Sequence, residues 1–209
     1  MQDSTMIYDI MKEFFNISVG KAANMLSDIV EQKILLNVPN VEIIDIEKQH
    51  FQLEEYMPEQ IRGALMVSSI PFKEYFTGTA SLIFPADKMK KFVRLCMHEE
   101  TADIDDQNFN DIDFDIIKEI GNIILNCIMG EIANSMEVNF VYSLPEVQVF
   151  DQTDFCDDLK QSEYMHLLIL YITFVIGDTE IEGAIMVDLT MNSLNELLRK
   201  LDEAWDKVL

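Results

Sequence analysis

The sequence predicts an α/β fold, of the α+β type, with pseudo-two-fold symmetry. A repeated motif, a repeated order of elements and a composition suited to a buried core predict it. The chain has 209 residues, 49% apolar and 25% charged, which fits a folded soluble domain. "DIMKEFFN" from Asp9 returns as "DIIKEIGN" from Asp115. Asp9, Ile10, Lys12, Glu13 and Asn16 thus match Asp115, Ile116, Lys118, Glu119 and Asn122. The register then holds without a gap, matching Ile17 to Ile123, Glu31 to Glu137, Pro39 to Pro145 and Val41 to Val147. Farther on, "GTASLIFPADKMKKFVRLCM" from Gly78 answers to "GAIMVDLTMNSLNELLRKL" from Gly183, with the register moved by one residue. Such self-similarity is the mark of a duplicated unit.

Each half reads helix, helix, strands, helix. Apolar periodicity predicts one helix from Met6 to Val19 and a second from Lys21 to Gln32. "KILLNVPNVEII", "GALMVSSI" and "GTASLIF" read as strands. Pro85-Ala86-Asp87 opens a closing helix that runs to Met97, with proline at its start. The second half repeats this order from Asp113, with strands in "VNFVYSLPEVQVF", "YMHLLILYITFVIG" and "IEGAIMVDL". The chain is therefore expected to be a single domain, 1–209, made of repeats 1–100 and 107–209. Between them lies "HEETADIDDQNFNDIDFD". It does not fit a calcium loop, because Asn108 stands where the invariant glycine belongs and Phe114 where the bidentate glutamate belongs. A solvated acidic linker leading into a helix N-terminus is expected instead.

The formal charge of -23 opposes binding to nucleic acid and to anionic lipid. Proteins with basic or metal-bearing faces are the expected partners. Asp3 and Asp9 occupy the N-terminal segment without a basic stretch, so no targeting signal is read there. The longest apolar run, Tyr164 to Ile176, is too short to span a bilayer. Cys96, Cys127 and Cys156 are scattered and odd in number, which suits reduced thiols in a cytoplasmic protein. Cys127 is expected to pack within a helix. His50, His98 and His166 form no ligand set, and His166 reads as a satisfied core residue. No metal site is expected.

Asp115, Glu119 and Asn122, spaced i, i+4, i+7, fall on one helical stripe, as do Asp9, Glu13 and Asn16. Ile116, Ile117, Ile120, Ile123 and Ile124 make a separate apolar stripe, matched by Ile10, Met11, Phe14 and Ile17. Each helix is expected to bury the apolar stripe and to present Asp, Glu and Asn outward. A polar stripe alone is an ordinary solvated face. Its exact recurrence argues otherwise, and so does asparagine inside a helix, where its side chain competes for backbone hydrogen bonds. Gly121, beside Asn122, costs about 1 kcal/mol in a helix interior, for which close approach by a partner's backbone is a plausible compensation.

The pattern Asp-x3-Glu-x2-Asn, followed at fixed distance by Pro, occurs as Asp9-Glu13-Asn16-Pro39 and as Asp115-Glu119-Asn122-Pro145. It resembles the signature of the CheC/CheX/FliY phosphatases, and is most similar to the CheC branch. The resemblance covers nearly the whole chain. It implies a shared, largely antiparallel sheet with the two motif helices exposed along one side. It also implies removal of phosphate from the aspartyl-phosphate of a CheY-type chemotaxis response regulator. Asn16 and Asn122 would orient an attacking water, Glu13 and Glu119 would pair with the receiver's lysine, and Asp9 and Asp115 would add docking contacts. Pro39, Pro145 and Gly121 would be structural, each proline fixing a strand end near the helix. No cofactor of its own is implied, since Mg²⁺ belongs to the partner receiver domain. The receptor deamidase CheD is implied as a second partner. One departure stands out: Phe15 occupies the place of Gly121, which puts the first copy in more doubt than the second. No Cys-His or Ser-His pair lies in either motif, so hydrolysis would have to use water. The alternative reading is a non-catalytic adaptor, or a binding module like the middle domain of FliM, and a monomer is the expected state.

Overall fold

A computed structural model describes residues 4–46, 55–57, 61, 63–74, 77–98, 109–161 and 166–206. His50 and the central part of the expected linker lie outside them. The order is α1 (Ser4–Val30), β1 (Ile34–Asp45), β2 (Ala64–Glu74), β3 (Gly78–Pro85), α2 (Ala86–Cys96), α3 (Asp111–Met136), β4 (Phe140–Tyr142), β5 (Glu146–Asp151), α4 (Gln152–Gln161), β6 (His166–Ile176), β7 (Thr179–Leu189) and α5 (Met191–Asp206).

The expected pair of opening helices is a single helix in each half. Met11, Phe15, Val19, Ala22 and Leu26 are all buried, so one apolar line continues through Gly20 and nothing breaks the backbone ladder. Ile17 was expected on that line but is half-exposed, and Phe15 is buried instead. Both helices end alike. Glu31 and Glu137, matched in the repeat, each take a left-handed φ just past the last turn, a conformation that stops a helix. Helix α4 has no counterpart in the expected order.

The sheet runs β1-β6-β7-β3-β2-β4, with β5 also on β2, and every pairing is antiparallel. The first strand of each half joins the hairpin of the other. Asp45 pairs His166 as Asp151 pairs Ala64, Val41 pairs Leu170 as Val147 pairs Ser68, and Leu36 pairs Phe174 as Tyr142 pairs Phe72. This register corrects the alignment of Gly78 with Gly183. Gly78 pairs Phe72, and Phe174, which answers to Phe72, pairs Ile181. The two glycines align only by counting back from the closing helices.

Helices α1, α2, α3 and α5 cover one face of the sheet over the larger core. Phe155, Cys156 and Leu159 of α4 cover the other face with Met57 and Ile61. Lys21 Nζ meets Glu131 at 2.6 Å, and Cys127 Sγ lies 3.8 Å from Met25 Sδ. These two contacts exchange under the repeat, so α1 and α3 cross there, with one motif on either side. The cysteines are free, and burial pushes the Cys96 thiol up to about 12. Cys127 sits in α3 as expected. His166 is buried, but its Nδ1 has no partner among the described residues.

A buried ion pair seats α3. Asp113 accepts from Lys90 of α2 and from the Asn110 backbone N–H, while Asn110 caps the helix in return. Phe109 lies under the Lys90 ammonium, 5.4 Å from ring centroid to Nζ. Burial pushes the Asp113 carboxyl up, but the Asn110 N–H and Lys90 outweigh it and hold it below its ordinary value. Asp188 is the opposite case. It is buried on the α4 face, and desolvation, aided by Asp158, raises it to about 7.

Lys90→Met is expected to cost about 3–5 kcal/mol in urea unfolding, because it strands a buried carboxylate. The Asp113 contribution is complete above the ordinary carboxylate range and drains away as pH falls through the lowered folded value. Asp113→Asn should therefore flatten the acid limb of the stability curve. Asp188→Asn acts at the other end. Unfolded Asp188 ionises in the ordinary range while the folded carboxyl keeps its proton to about 7, so wild-type stability falls as pH rises between them. The asparagine variant should gain about 1–3 kcal/mol at pH 8 and less at pH 5.

Candidate active site

The two motif copies hold the same residue types on different geometries. Asp9, Glu13, Asp115 and Glu119 are all exposed, as expected, while Asn16 and Asn122 are half-buried. In the first copy Asn16 Oδ1 accepts from the Val38 N–H at 2.8 Å, and its amide donates to the Val38 carbonyl at 3.0 Å and to the Lys12 carbonyl at 2.8 Å. Both faces of the carboxamide are thus committed to the chain itself. Val38 lies where the register of β1 shifts, between Asn37 and Asn40. Asn16 therefore satisfies a backbone N–H and C=O that the bulge takes out of the ladder. Pro39, exposed in that bulge, lies inside the strand rather than at its end.

In the second copy Pro145 stands in the gap between β4 and β5. Ser143 still bonds through its N–H to the Pro71 carbonyl at 2.9 Å, so the strand path is kept. Asn122 makes a different bond. Its Oδ1 accepts from Asn126 Nδ2 at 2.7 Å, and among the described residues its own amide has no partner. Asn126 was missed from the sequence, although it stands i+4 from Asn122 on the same stripe. Leu144, the counterpart of Val38, is 82% exposed where Val38 is 1% exposed.

One substitution accounts for the difference. Phe15 is wholly buried, with its ring edge-on to Phe14 at 5.1 Å between centroids, and α1 lies along β1. Gly121, in the matching place, is buried against β2. A Cβ there would come within 2.6 Å of the Ser68 Cβ. The close approach expected of a partner's backbone is thus an internal one. Without a side chain, α3 settles inward over β2 and β3 and touches β5 only lightly. Asn122 is carried off β4 and β5, the counterpart of the strand that Asn16 grips. The Ser68 hydroxyl is buried without a hydrogen-bond partner among the described residues.

The second copy can therefore offer a visitor an amide donor and a carbonyl acceptor, one helical turn from the exposed carboxylate of Glu119. A carboxamide of that kind can hold a water without bearing charge. Among the described residues no cluster of His, Cys, Asp and Glu could hold a metal ion, and no helix is long and apolar enough to cross a membrane.

A family model described as CheC-like matches residues 6–43, the span from the first motif through most of β1. The CheY-P phosphatase CheC of Bacillus subtilis (strain 168) is 24% identical over 144 residues, 68% of this chain and 65% of that protein. The chain is thus similar in sequence to CheC-type proteins over part of its length. The match to that curated CheC spans less than two thirds of its length. The crystal structure of Thermotoga maritima FliY superposes with a TM-score of 0.73 at 16% identity, over 97% of this chain and 99% of that one. The middle domain of FliM from H. pylori gives 0.59 at 12% identity, over 95% and 99%. The fold is thus shared with FliY and the middle domain of FliM, and the two motif copies of this chain sit on equivalent helices within it.

Asn16→Ala should cost about 1–3 kcal/mol in chemical denaturation, because it leaves two buried backbone groups of Val38 unpaired. Asn122→Ala should stay within about 0.5 kcal/mol of wild type. Equal losses for the two would contradict the asymmetry.

Proposed function

We propose that the chain is a protein aspartyl-phosphate phosphatase acting on a phosphorylated CheY-type response regulator, and that its second motif copy does the work. The observation that carries this reading is the Asn122 amide, without a partner among the described residues, beside the exposed Glu119. The Asn122 side chain enters the receiver's site and orients a water in line with the phosphorus. Glu119 pairs with the receiver's lysine, and Asp115 adds a docking contact. Phosphoryl transfer depends mostly on such positioning and on charge already in place. The chain supplies no cofactor, and Mg²⁺ comes with the receiver. Relatedness to the curated CheC supports the substrate class.

The first copy takes a different part. Asn16 serves as a clasp between α1 and β1, so Glu13 and Asp9 are left as surface carboxylates. In that respect the first copy follows the non-catalytic reading, the one suggested by the FliM fold. CheD remains a second proposed partner and the cytoplasm the proposed location. Residues 1–100 and 107–209 are taken as the two copies of one ancestral unit, joined by the acidic linker.

The decay of a receiver loaded with acetyl phosphate and Mg²⁺ tests the proposal. Asn122→Ala is expected to lower the accelerated rate about a hundredfold or more, with little change in receiver affinity. Asn16→Ala is expected to retain most of the activity at temperatures where it stays folded. Full activity in Asn122→Ala would reject the assignment.

A further inference from the structure

The helix-facing row of the first edge strand is covered, and the same row of the other edge strand is largely exposed. In β1 the row is Leu36, Val38, Val41 and Ile43. The first three are buried beneath α1, and Ile43 packs against the same core. The matching positions in the second half are Tyr142, Leu144, Val147 and Val149. Their strand partners Phe72, Ser68 and Met66 show that the row faces the helices. Residue character is kept, but most of the cover is gone, with Val147 still packed against the core. Tyr142 is 36% exposed, Leu144 82% and Val149 47%. Isolated exposed apolar residues need no explanation, but a contiguous row of them marks an interaction surface.

The row lies beside the proposed catalytic group. Gly121 presses on Ser68, and Ser68 pairs Val147 in the middle of the row. Asn122 follows Gly121 in the chain. In the first copy the equivalent asparagine reaches the equivalent strand by direct hydrogen bonds. The same inward seating of α3 that frees Asn122 also uncovers Leu144. The surroundings are mostly acidic. Asp115 and Glu119 are exposed on the adjoining part of α3, with Lys118 as the countercharge there.

We propose that Tyr142, Leu144 and Val149 form the docking surface for the receiver domain, with Leu144 as its central anchor. The occupant is a protein face carrying an apolar patch bordered by lysine or arginine. It covers the row as α1 covers the row of β1, and in doing so brings its phosphorylated carboxylate to Asn122. This inference rests on the reading of the Asn122 site given above. It adds a specificity surface outside the Asp-Glu-Asn stripe.

Two measurements on the full chain separate the inference from that reading. One is steady-state hydrolysis of the phosphorylated receiver, and the other is equilibrium binding of the receiver loaded with beryllofluoride and Mg²⁺. Leu144→Asp and Val149→Asp are expected to weaken binding and raise KM by about tenfold or more, with kcat at saturating receiver unchanged. Ile29→Asp, on an exposed part of α1, should alter neither. Wild-type activity with unchanged KM and binding in Leu144→Asp would overturn the docking surface while leaving the phosphatase reading intact. Binding that Leu144→Asp abolishes, without any hydrolysis by wild type, would uphold the surface and remove the catalytic reading. Self-association of the wild type that Leu144→Asp abolishes would assign the row to a second copy of this chain and overturn the proposal.

Discussion

Where Gly121 meets Ser68, a helix rests almost directly on a strand, and much of what distinguishes the two halves follows from that contact. A buried phenylalanine needs room between helix and sheet, and Phe15 takes it. Glycine needs none. A shift in helix seating is then read out at the next residue, because the reach of an asparagine side chain is short. Asn16 falls within hydrogen-bond distance of a strand bulge, and Asn122 is left with a neighbour on its own helix. Packing at one position thus sets the chemistry available at the next.

The sheet makes that local difference affordable to the fold as a whole. Each half lends its first strand to the hairpin of the other, so the halves share one hydrogen-bonded ladder. The central pairing of β3 with β7 lies on the pseudo-axis. Displacement of α3 inward leaves this ladder untouched, since the backbone bonds of β4 and β5 go to β2 and not to the helix. The start of α3 is fixed separately by the buried pair of Asp113 and Lys90, which has no charged counterpart in the first half, where Ile7 stands for Asp113. Helix position is thereby determined at its N-terminus by charge and at Gly121 by contact.

The two motif copies differ structurally in a concrete way. The Asp-Glu-Asn-Pro pattern is present twice, and the segment matched by the CheC-like family model falls on the copy whose asparagine is tied down. Retention of motif letters is compatible with two different jobs for them. Asn16 completes hydrogen bonds that a bulge would leave unmet. Asn122 keeps a donor without a partner among the described residues, beside an acidic stripe. Glu13 and Glu119 do not distinguish the copies, since both are exposed.

The repeat, the strand segments, the apolar lines of the long helices and the Asp-Glu-Asn stripes were all legible from residue order. Periodicity encodes which way a side chain points along its own element. It also marked Phe15 against Gly121 as the place where the copies differ. The fusion of two expected helices into one was not legible, because Gly20 is a weak breaker when both flanks continue the same buried line. Helix α4 was hidden in a short polar stretch with few core positions. Residue order alone also determined the chemical identity of the candidate groups: two carboxamides, each with carboxylates on the same helical face. Only the tertiary structure decided which carboxamide is bonded to a strand, because that depends on the distance between α3 and an edge strand that pairs with the first half. The spacing of a helix from a sheet is set by the volume packed between them, and no pattern along a single element records it.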